Sequence, residues 1–332
     1  MVVQFSKAVI EWQKQFGRSD LPWQRTPRTP YRVWLSEIML QQTQVKTVIG
    51  YFDRFIDRCP KIEDLADLEE DELMCLWQGL GYYARARNLH QTAKIIVQQH
   101  NGVLPTVLEE LVKLPGIGES TAAAIISLAY EQPAAILDGN VKRVLTRYFG
   151  IEDDISLSKT QKKMWQLAKS ILPSTHANIY TQGLMDLGAT VCTPKQSSCH
   201  LCPFSRTCYA KLNDKVASIP YKTKKVKVKN KVIHVVLHTH DGKVALSKRE
   251  KGIWQQLYAP SIYDSTAEFS HIQSKLIGEY QHLLTHLRLS IKVYLSKESV
   301  IADQWCSQDS ITVAIPTGLQ KAFELLNATT SG

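Results

Sequence analysis

The sequence predicts a mainly α N-terminal part, built as two helical lobes, followed by a small α/β C-terminal domain. Three observations carry that prediction. Apolar residues recur at helical spacing through most of the first 190 positions, as in the stripe Phe5, Val9, Trp12 and Phe16. Four cysteines then crowd into positions 192–208. Past a stretch with six lysines in ten residues (Lys222, Lys224, Lys225, Lys227, Lys229, Lys231), alternating strand-like runs replace the helical period. A chain of 332 residues has room for two or three domains, each able to bury a core. The predicted boundaries are a helical region over 1–212, a basic linker over 213–231 and an α/β domain over 232–332. Within the first, one six-helix lobe spans about 21–133, and residues 1–20 join 134–212 in the other.

Composition narrows the function classes. With 44% hydrophobic and 21% charged residues the chain is ordinary for a soluble globular protein, and its net charge of +9 favours a polyanionic partner. No apolar run is long enough to span a membrane, so no membrane partner is expected. Residues 1–17 are amphipathic, with Trp12, Gln13 and Lys14 breaking any signal-like run. Cys59, Cys75 and Cys306 are scattered while four cysteines cluster, which fits a reducing, cytoplasmic setting with one metal site better than a disulfide framework.

In chain order, the first helix occupies residues 1–20. Pro22, Pro27 and Pro30 hold an irregular lead-in, and a helix starts near Tyr31. Between Leu21 and Phe52 the single acid is Glu37, set among Trp34, Leu35, Ile38 and Met39. Burial there would raise its pKa and suit it to donate a proton at neutral pH; the plainer account is a solvated Glu paired with an Arg. Residues 51–72 gather acids into a solvated helical face. Gly79 and Gly81 precede Tyr82 and Tyr83, with Arg85 and Arg87 behind them: an aromatic on a glycine turn that could wedge into a base stack, or a core tyrosine pair.

The centre of the chain is LPGIG at 114–118, too rich in Gly and Pro for a helix interior. Helical patterns flank it, so two short helices are joined by a hairpin. Gly116 and Gly118 would leave backbone N–H groups free at a helix N-terminus, a phosphate site that reads no base sequence. Asp138 follows, the only carboxylate between Gln132 and Ile151. It could cap the helix beginning near Asn140, which also bears Lys142, Arg143 and Arg147. Further helices are predicted over 158–172 and 179–189. Strands are predicted over 232–238, 243–247, 291–295 and 311–315, a hairpin turn at Asp241-Gly242, and helices over 268–277 and 318–326. Cys192, Cys199, Cys202 and Cys208 are separated by six, two and five intervening residues, and zinc is the structural alternative for any four-cysteine site.

Together LPGIG, the small-residue helix after it, ILDGNVKRV and LSEIMLQQTQV resemble the MutY-type adenine DNA glycosylases of the helix-hairpin-helix, endonuclease III-like superfamily. That resemblance implies a monofunctional glycosylase excising adenine opposite 8-oxoguanine or guanine in double-stranded DNA, acting as a monomer. In it Glu37 is the catalytic acid, Asp138 the ionised partner and Asn140 its orienting neighbour. Tyr82 is the wedge and Gln42 fills the gap left by the extruded nucleotide. The hairpin glycines grip DNA, with a monovalent cation as a further expectation there. The cysteine loop resembles the family's 4Fe-4S loop. Ser120 stands where strand-cutting relatives carry a Schiff-base lysine, and Lys142 lies close to Asp138 in sequence. The C-terminal layout resembles the family's MutT-like domain that recognises 8-oxoguanine. Thr285 and His286 sit in the matching loop, although Leu284-Thr285-His286 replaces Phe-Ser-His and Gln255-Gln256 replaces two glycines. A relative acting on another mispaired or oxidised base, or a non-catalytic iron–sulfur DNA-binding protein, are the competing readings.

Overall fold

The computed structural model describes residues 2–25, 27–223, 228–308 and 310–330. Its helices are α1 (Val2–Phe16), α2 (Pro30–Leu40), α3 (Val45–Arg58), α4 (Ile62–Ala66), α5 (Glu70–Trp77), α6 (Ala84–His100), α7 (Leu108–Leu111), α8 (Glu119–Ala129), α9 (Gly139–Phe149), α10 (Ser158–Ser170), α11 (Ala177–Asp186) and α12 (Tyr209–Leu212). Strands β1 (Lys229–His240), β2 (Lys243–Lys248), β3 (Tyr258–Ala259), β4 (Ser261–Tyr263), β5 (Ser274–Leu283), β6 (Leu287–Ser296) and β7 (Gln304–Ser307) follow, then α13 (Gln320–Thr330). Among the described residues, no helix is long and apolar enough to cross a membrane.

By compactness the chain forms two units, Met1–Asp67 with Arg87–Lys225, and Leu68–Ala86 with Val226–Gly332. In the helical unit α8 is the axle. Its residues Ala122 to Leu128 are buried, and it packs against α2 and α11. Alanines on that face let the neighbouring backbones approach closely, so α2 and α11 are held near the segment that carries Asp138. Helix α2 begins where Thr29 Oγ1 accepts from Arg32 N at 3.3 Å, with Pro30 at the first helical position.

The second unit is a mixed sheet in the order β3-β2-β1-β6-β5, with β4 on β1 and β7 on β2. Strands β1 and β6 run parallel from Lys229↔Leu287 to His238↔Ser296. Ile233, Val235, Leu237, Leu289, Ile291 and Val293 face one core, closed by Ala322, Phe323 and Leu326 of α13. Two predicted elements are corrected here. The helix expected over 268–277 is instead a short 3-10 turn (Thr266–Phe269) followed by β5. A nine-pair antiparallel ladder with β6, shifted once between Leu276 and Gly278, outweighs its helical pattern. The strand expected over 311–315 makes no ladder; its Ala314 carbonyl accepts one bond from Tyr258 N at 2.9 Å.

The basic stretch also differs from a free linker over 213–231. Its beginning is packed on the helical unit: Ile219 O accepts from Arg147 Nε at 2.7 Å, and Ile155 N donates to Tyr221 O at 3.0 Å. Its end belongs to β1, where Lys229 to Lys231 pair with β6. Lys224, Lys225 and Lys227 lie outside the described residues. The segment Leu68–Ala86, expected in a helical lobe, groups with the sheet unit because Asp71 binds Lys248 Nζ (2.5 Å) and Tyr258 OH (3.0 Å).

Candidate active site

A cavity of about 560 Å3 opens in the helical unit, within the usual range for a small-molecule site. Glu37 of α2, Asp138 and Asn140 at the start of α9, and Ser120 and Thr121 of α8 all line it, as does Gln42. Glu37 lies on the face of α2 that lines the cavity with Val33, Ser36 and Leu40, while Trp34, Leu35, Ile38 and Met39 are buried.

Asp138 is placed by backbone contacts made before and after it. Ser127 Oγ donates to Ala134 O (3.0 Å), and Ser120 Oγ accepts from Leu137 N (3.2 Å), which fixes the extended run from α8 to α9. Asp138 then caps α9, its Oδ1 accepting from Val141 N at 2.7 Å, while Oδ2 accepts from Asn140 Nδ2 at 3.2 Å. The capping account of Asp138 and its place in the cavity are therefore both true. A helix N-terminus favours a carboxylate there.

The two carboxyl groups are perturbed unequally. Burial, and then the Asp138 charge, push Glu37 up to about 7, with Arg28 pulling it back. Asp138 is also raised by burial, but the bonds from Val141 and Asn140 and the nearby Arg143 work against the rise. Glu37 has the charge of Arg28 to offset its desolvation, whereas Asp138 has hydrogen-bond donors in contact. The environment keeps a proton on Glu37 and steadies negative charge on Asp138, the division of labour that acid-assisted bond cleavage needs.

Several cavity residues escaped the sequence reading. Arg28, Gln182, Met185 and Arg143 line the site. Arg143 ties Asn140 Oδ1 (2.8 Å) to Gly188 O (2.7 Å) and Cys192 O (2.6 Å). The Arg-rich run after Pro22 was a usable hint for Arg28; nothing in the local pattern marks Gln182 or Met185.

The hairpin lies where α7 and α8 meet. Gly116 has φ +77°, and a Cβ there would meet Asn88 Cβ at 2.9 Å, so the turn requires glycine. Gly118 precedes α8, and a Cβ added there meets nothing within 4 Å, which leaves room over the first-turn N–H groups. Gln41 Nε2 reaches Gly116 O (3.5 Å) and Thr121 Oγ1 (3.4 Å), tying the end of α2 to this turn. Lys142 is half-buried, and burial lowers its pKa.

Three predicted DNA-contacting residues lie in the sheet unit. Tyr82, 44% exposed at φ +49°, bonds through its hydroxyl to Thr285 Oγ1 at 2.6 Å. Arg85 supports it, donating to Leu80 O and Gly81 O (3.1 Å each) and lying 5.5 Å from its ring centroid. Tyr83 is buried. Thr285 and His286 are exposed at the tip of the β5–β6 hairpin, closed by Leu284 N to Leu287 O at 2.8 Å.

The four clustered cysteines are free thiols that border one cavity, together with Arg147 and Val191. Burial pushes the Cys202 thiol up to about 12 and raises Cys208. Such thiols become ligand thiolates when a cationic centre compensates the desolvation. Arg147 already directs Nη1 at Cys192 Sγ (3.4 Å), Thr193 O and Ser197 Oγ (2.8 Å each). Among the described residues, no three Cys, His, Asp or Glu side chains are grouped to hold a single metal ion. Four thiols around a shared cavity, with a guanidinium beside one sulfur, make a donor set suited to a thiolate-ligated metal group.

Residues 35–170 match the HhH-GPD superfamily of base excision DNA repair proteins. The adenine DNA glycosylase of Buchnera aphidicola subsp. Baizongia pistaciae is 40% identical over 314 residues, covering 90% of this chain and 88% of that one. The human adenine DNA glycosylase is 40% identical over 218 residues, 63% of this chain and 40% of that protein. Among solved structures, a thermostable thymine-DNA glycosylase superposes with a TM-score of 0.57 at 29% identity, covering 64% of this chain and 97% of that one. A trapped endonuclease III–DNA covalent intermediate, with a TM-score of 0.54 at 22% identity, shares the fold over 64% of this chain and 98% of its own. The chain belongs to the adenine DNA glycosylase family, within the HhH-GPD superfamily of base excision repair proteins.

Proposed function

We propose that the protein excises adenine mispaired with 8-oxoguanine or guanine from double-stranded DNA, as a monofunctional glycosylase. The observation that carries this reading is the pair of carboxyl groups in one cavity, Glu37 pushed up to about 7 and Asp138 held by helix-cap bonds. Extruding the base costs a few kcal/mol of stacking and pairing, less at a mispair. Gln42 and Tyr82 fill the stack, both on turns with positive φ (59° and 49°) that project the side chain. Gly116 and Gly118 give the phosphates close backbone access, with Lys142 and a monovalent cation at the hairpin as further contacts.

Glu37 donates its proton to a purine ring nitrogen. The glycosidic C–N bond then breaks with its electron pair going to the base, and positive charge develops on the sugar. Asp138 stabilises that charge, directly or through a transient bond to the anomeric carbon, as carboxylates do in glycoside hydrolysis. Asn140 holds Asp138 in place. Glu37, now a carboxylate, takes a proton from the attacking water. Ser120 has no amine to form a Schiff base and is engaged with Leu137 N, so no strand cleavage follows.

Cys192, Cys199, Cys202 and Cys208 would hold a 4Fe-4S cluster, which when bound supplies a rigid anchor for the loop beside α9. The MutT-like sheet unit would present Thr285 and His286 to the 8-oxoguanine. Single-turnover base release on duplexes carrying A opposite 8-oxoguanine, A opposite guanine and T opposite guanine tests this. Adenine release from the first two is expected. Release of thymine instead, or strong strand cleavage without added base or heat, would overturn it, and an anaerobic assay finding zinc in place of iron and sulfide would overturn the cluster.

A further inference from the structure

Helix α5 carries the chain into the turn that presents Tyr82, and its first turn is acidic. An acid there complements the helix dipole whatever it faces. Asp71 does more. Its Oδ1 meets Lys248 Nζ at 2.5 Å, and its Oδ2 accepts from Tyr258 OH at 3.0 Å. Lys248 of β2 and Tyr258 of β3 are direct partners across the sheet, with the ammonium 5.8 Å from the ring centroid. Burial, and then the bond to Asp71, push Tyr258 up to about 12, so its hydroxyl remains a donor near neutral pH. One helical turn on, Cys75 Sγ reaches Thr312 O at 3.8 Å from the same face of α5. Leu73, Met74 and Trp77, on a different face, are buried and hold the helix in place.

The connection from α5 to Tyr82 is braced. Trp77 Nε1 donates to Gly81 O at 3.1 Å, and Arg85 Nη2 donates to Leu80 O and Gly81 O. The Arg85 guanidinium lies 5.2 Å from the Trp77 ring and 5.5 Å from that of Tyr82. Tyr82 in turn meets Thr285. The segment is thus fastened to the sheet at two points, Tyr82 at its tip and Asp71 at its foot. The tip is made of residues proposed to meet DNA, so altering it changes contact and coupling together. The foot has no proposed DNA contact, and altering it changes the coupling alone.

We propose that Asp71 is a specificity-determining positioning residue. Held by Lys248 and Tyr258, it keeps the wedge in register with the lesion-reading hairpin. An 8-oxoguanine engaged by the hairpin then favours Tyr82 in the stack and quickens release of the opposing adenine. Guanine engages the hairpin less, so release opposite guanine draws little on this clamp. The inference rests on the roles given above to Tyr82 and Thr285. Asp71 acts through α5, not on the substrate.

The test compares single-turnover adenine release from A opposite 8-oxoguanine and A opposite guanine in the full-length protein. Asp71→Ala should slow the first about tenfold and the second by less than about twofold, so the ratio of rates shrinks about fivefold or more. Lys248→Met combined with Tyr258→Phe removes the same bonds from the sheet side and should shrink the ratio equally. Adding Asp71→Ala to that pair should change it no further. A general loss of stability slows both duplexes together and leaves the ratio where it was. A ratio within about twofold of the parent in a folded Asp71→Ala protein would overturn the proposal. If that variant does not fold, the Lys248→Met, Tyr258→Phe protein decides by the same two outcomes. A parent that releases adenine equally fast from both duplexes would refute the lesion-reading role of the sheet unit, and the proposal would fall with it.

Discussion

At the scale of single residues, Glu37 links stability to chemistry. Its folded-state pKa is raised from 4.5 to about 7, so between those values the folded protein holds a proton that the unfolded chain gives up. Stability attributable to this group is therefore undiminished below about 4.5, falls as pH rises towards 7, and stays low above it. Glu37→Gln should leave urea stability unchanged at pH 4 and raise it by about 1–3 kcal/mol at pH 8, while abolishing base release. Strain tells a similar story at Gln42 and Tyr82, which hold positive φ without being glycine, as residues at working sites often do. Gln256 is a third case, at φ +64° with its N–H donating to Arg249 O at 2.7 Å. The family commonly has glycine there, and the dihedral gives the reason. Gln256→Gly should raise the unfolding free energy by up to about 1 kcal/mol, readable as a shift in thermal midpoint.

At the scale of elements, helix α9 joins two sites. Its first turn holds Asp138 and Asn140, and its last turn sends Arg147 into the cysteine loop. Arg147 is 3% exposed, and its guanidinium supplies Thr193 O, Ser197 Oγ and Ile219 O. Arg147→Met removes those three bonds, and among the described residues only Thr193 O of the three acceptors keeps a partner, Ser197 Oγ at 2.8 Å. It should cost on the order of 3 kcal/mol in thermal or urea unfolding and quicken loss of iron from the proposed cluster to a chelator. Elements with strong local pattern were legible in advance: α2 from its prolines, the hairpin from LPGIG, and β1–β2 from Asp241-Gly242. Strand β5 was not, because its identity comes from pairing with β6 and from Gly278 packing against Leu325 rather than from its own sequence. The same limit hid Gln182 and Arg143, whose partners Arg28 and Cys192 lie outside their own helices.

At the scale of the whole molecule, the wedge segment belongs to the sheet unit. Tyr82 meets Thr285, and Asp71 meets Lys248 and Tyr258, all within that unit. Sequence order placed residues 68–86 among helices and offered no sign of partners two hundred positions away. The consequence is that the residue proposed to enter the stack and the residue proposed to meet the lesion share a hydroxyl bond. Thr285→Val removes it and should slow release from A opposite 8-oxoguanine about tenfold more than from A opposite guanine, roughly the worth of one hydrogen bond. Equal slowing on both duplexes would argue that Thr285 has no part in reading the lesion.

The proposed chemistry requires a neutral Glu37 and a charged Asp138 in the same cavity. Its most direct measurement is the single-turnover rate of adenine release from pH 5 to 9, made alongside duplex affinity for the parent, Glu37→Gln and Asp138→Asn. The parent rate should decline as pH rises through about 7, where Glu37 loses its proton. Both variants should bind the duplex and release no base. A parent rate that holds flat to pH 9, or a Glu37→Gln protein that still frees adenine at the parental rate, would contradict the account.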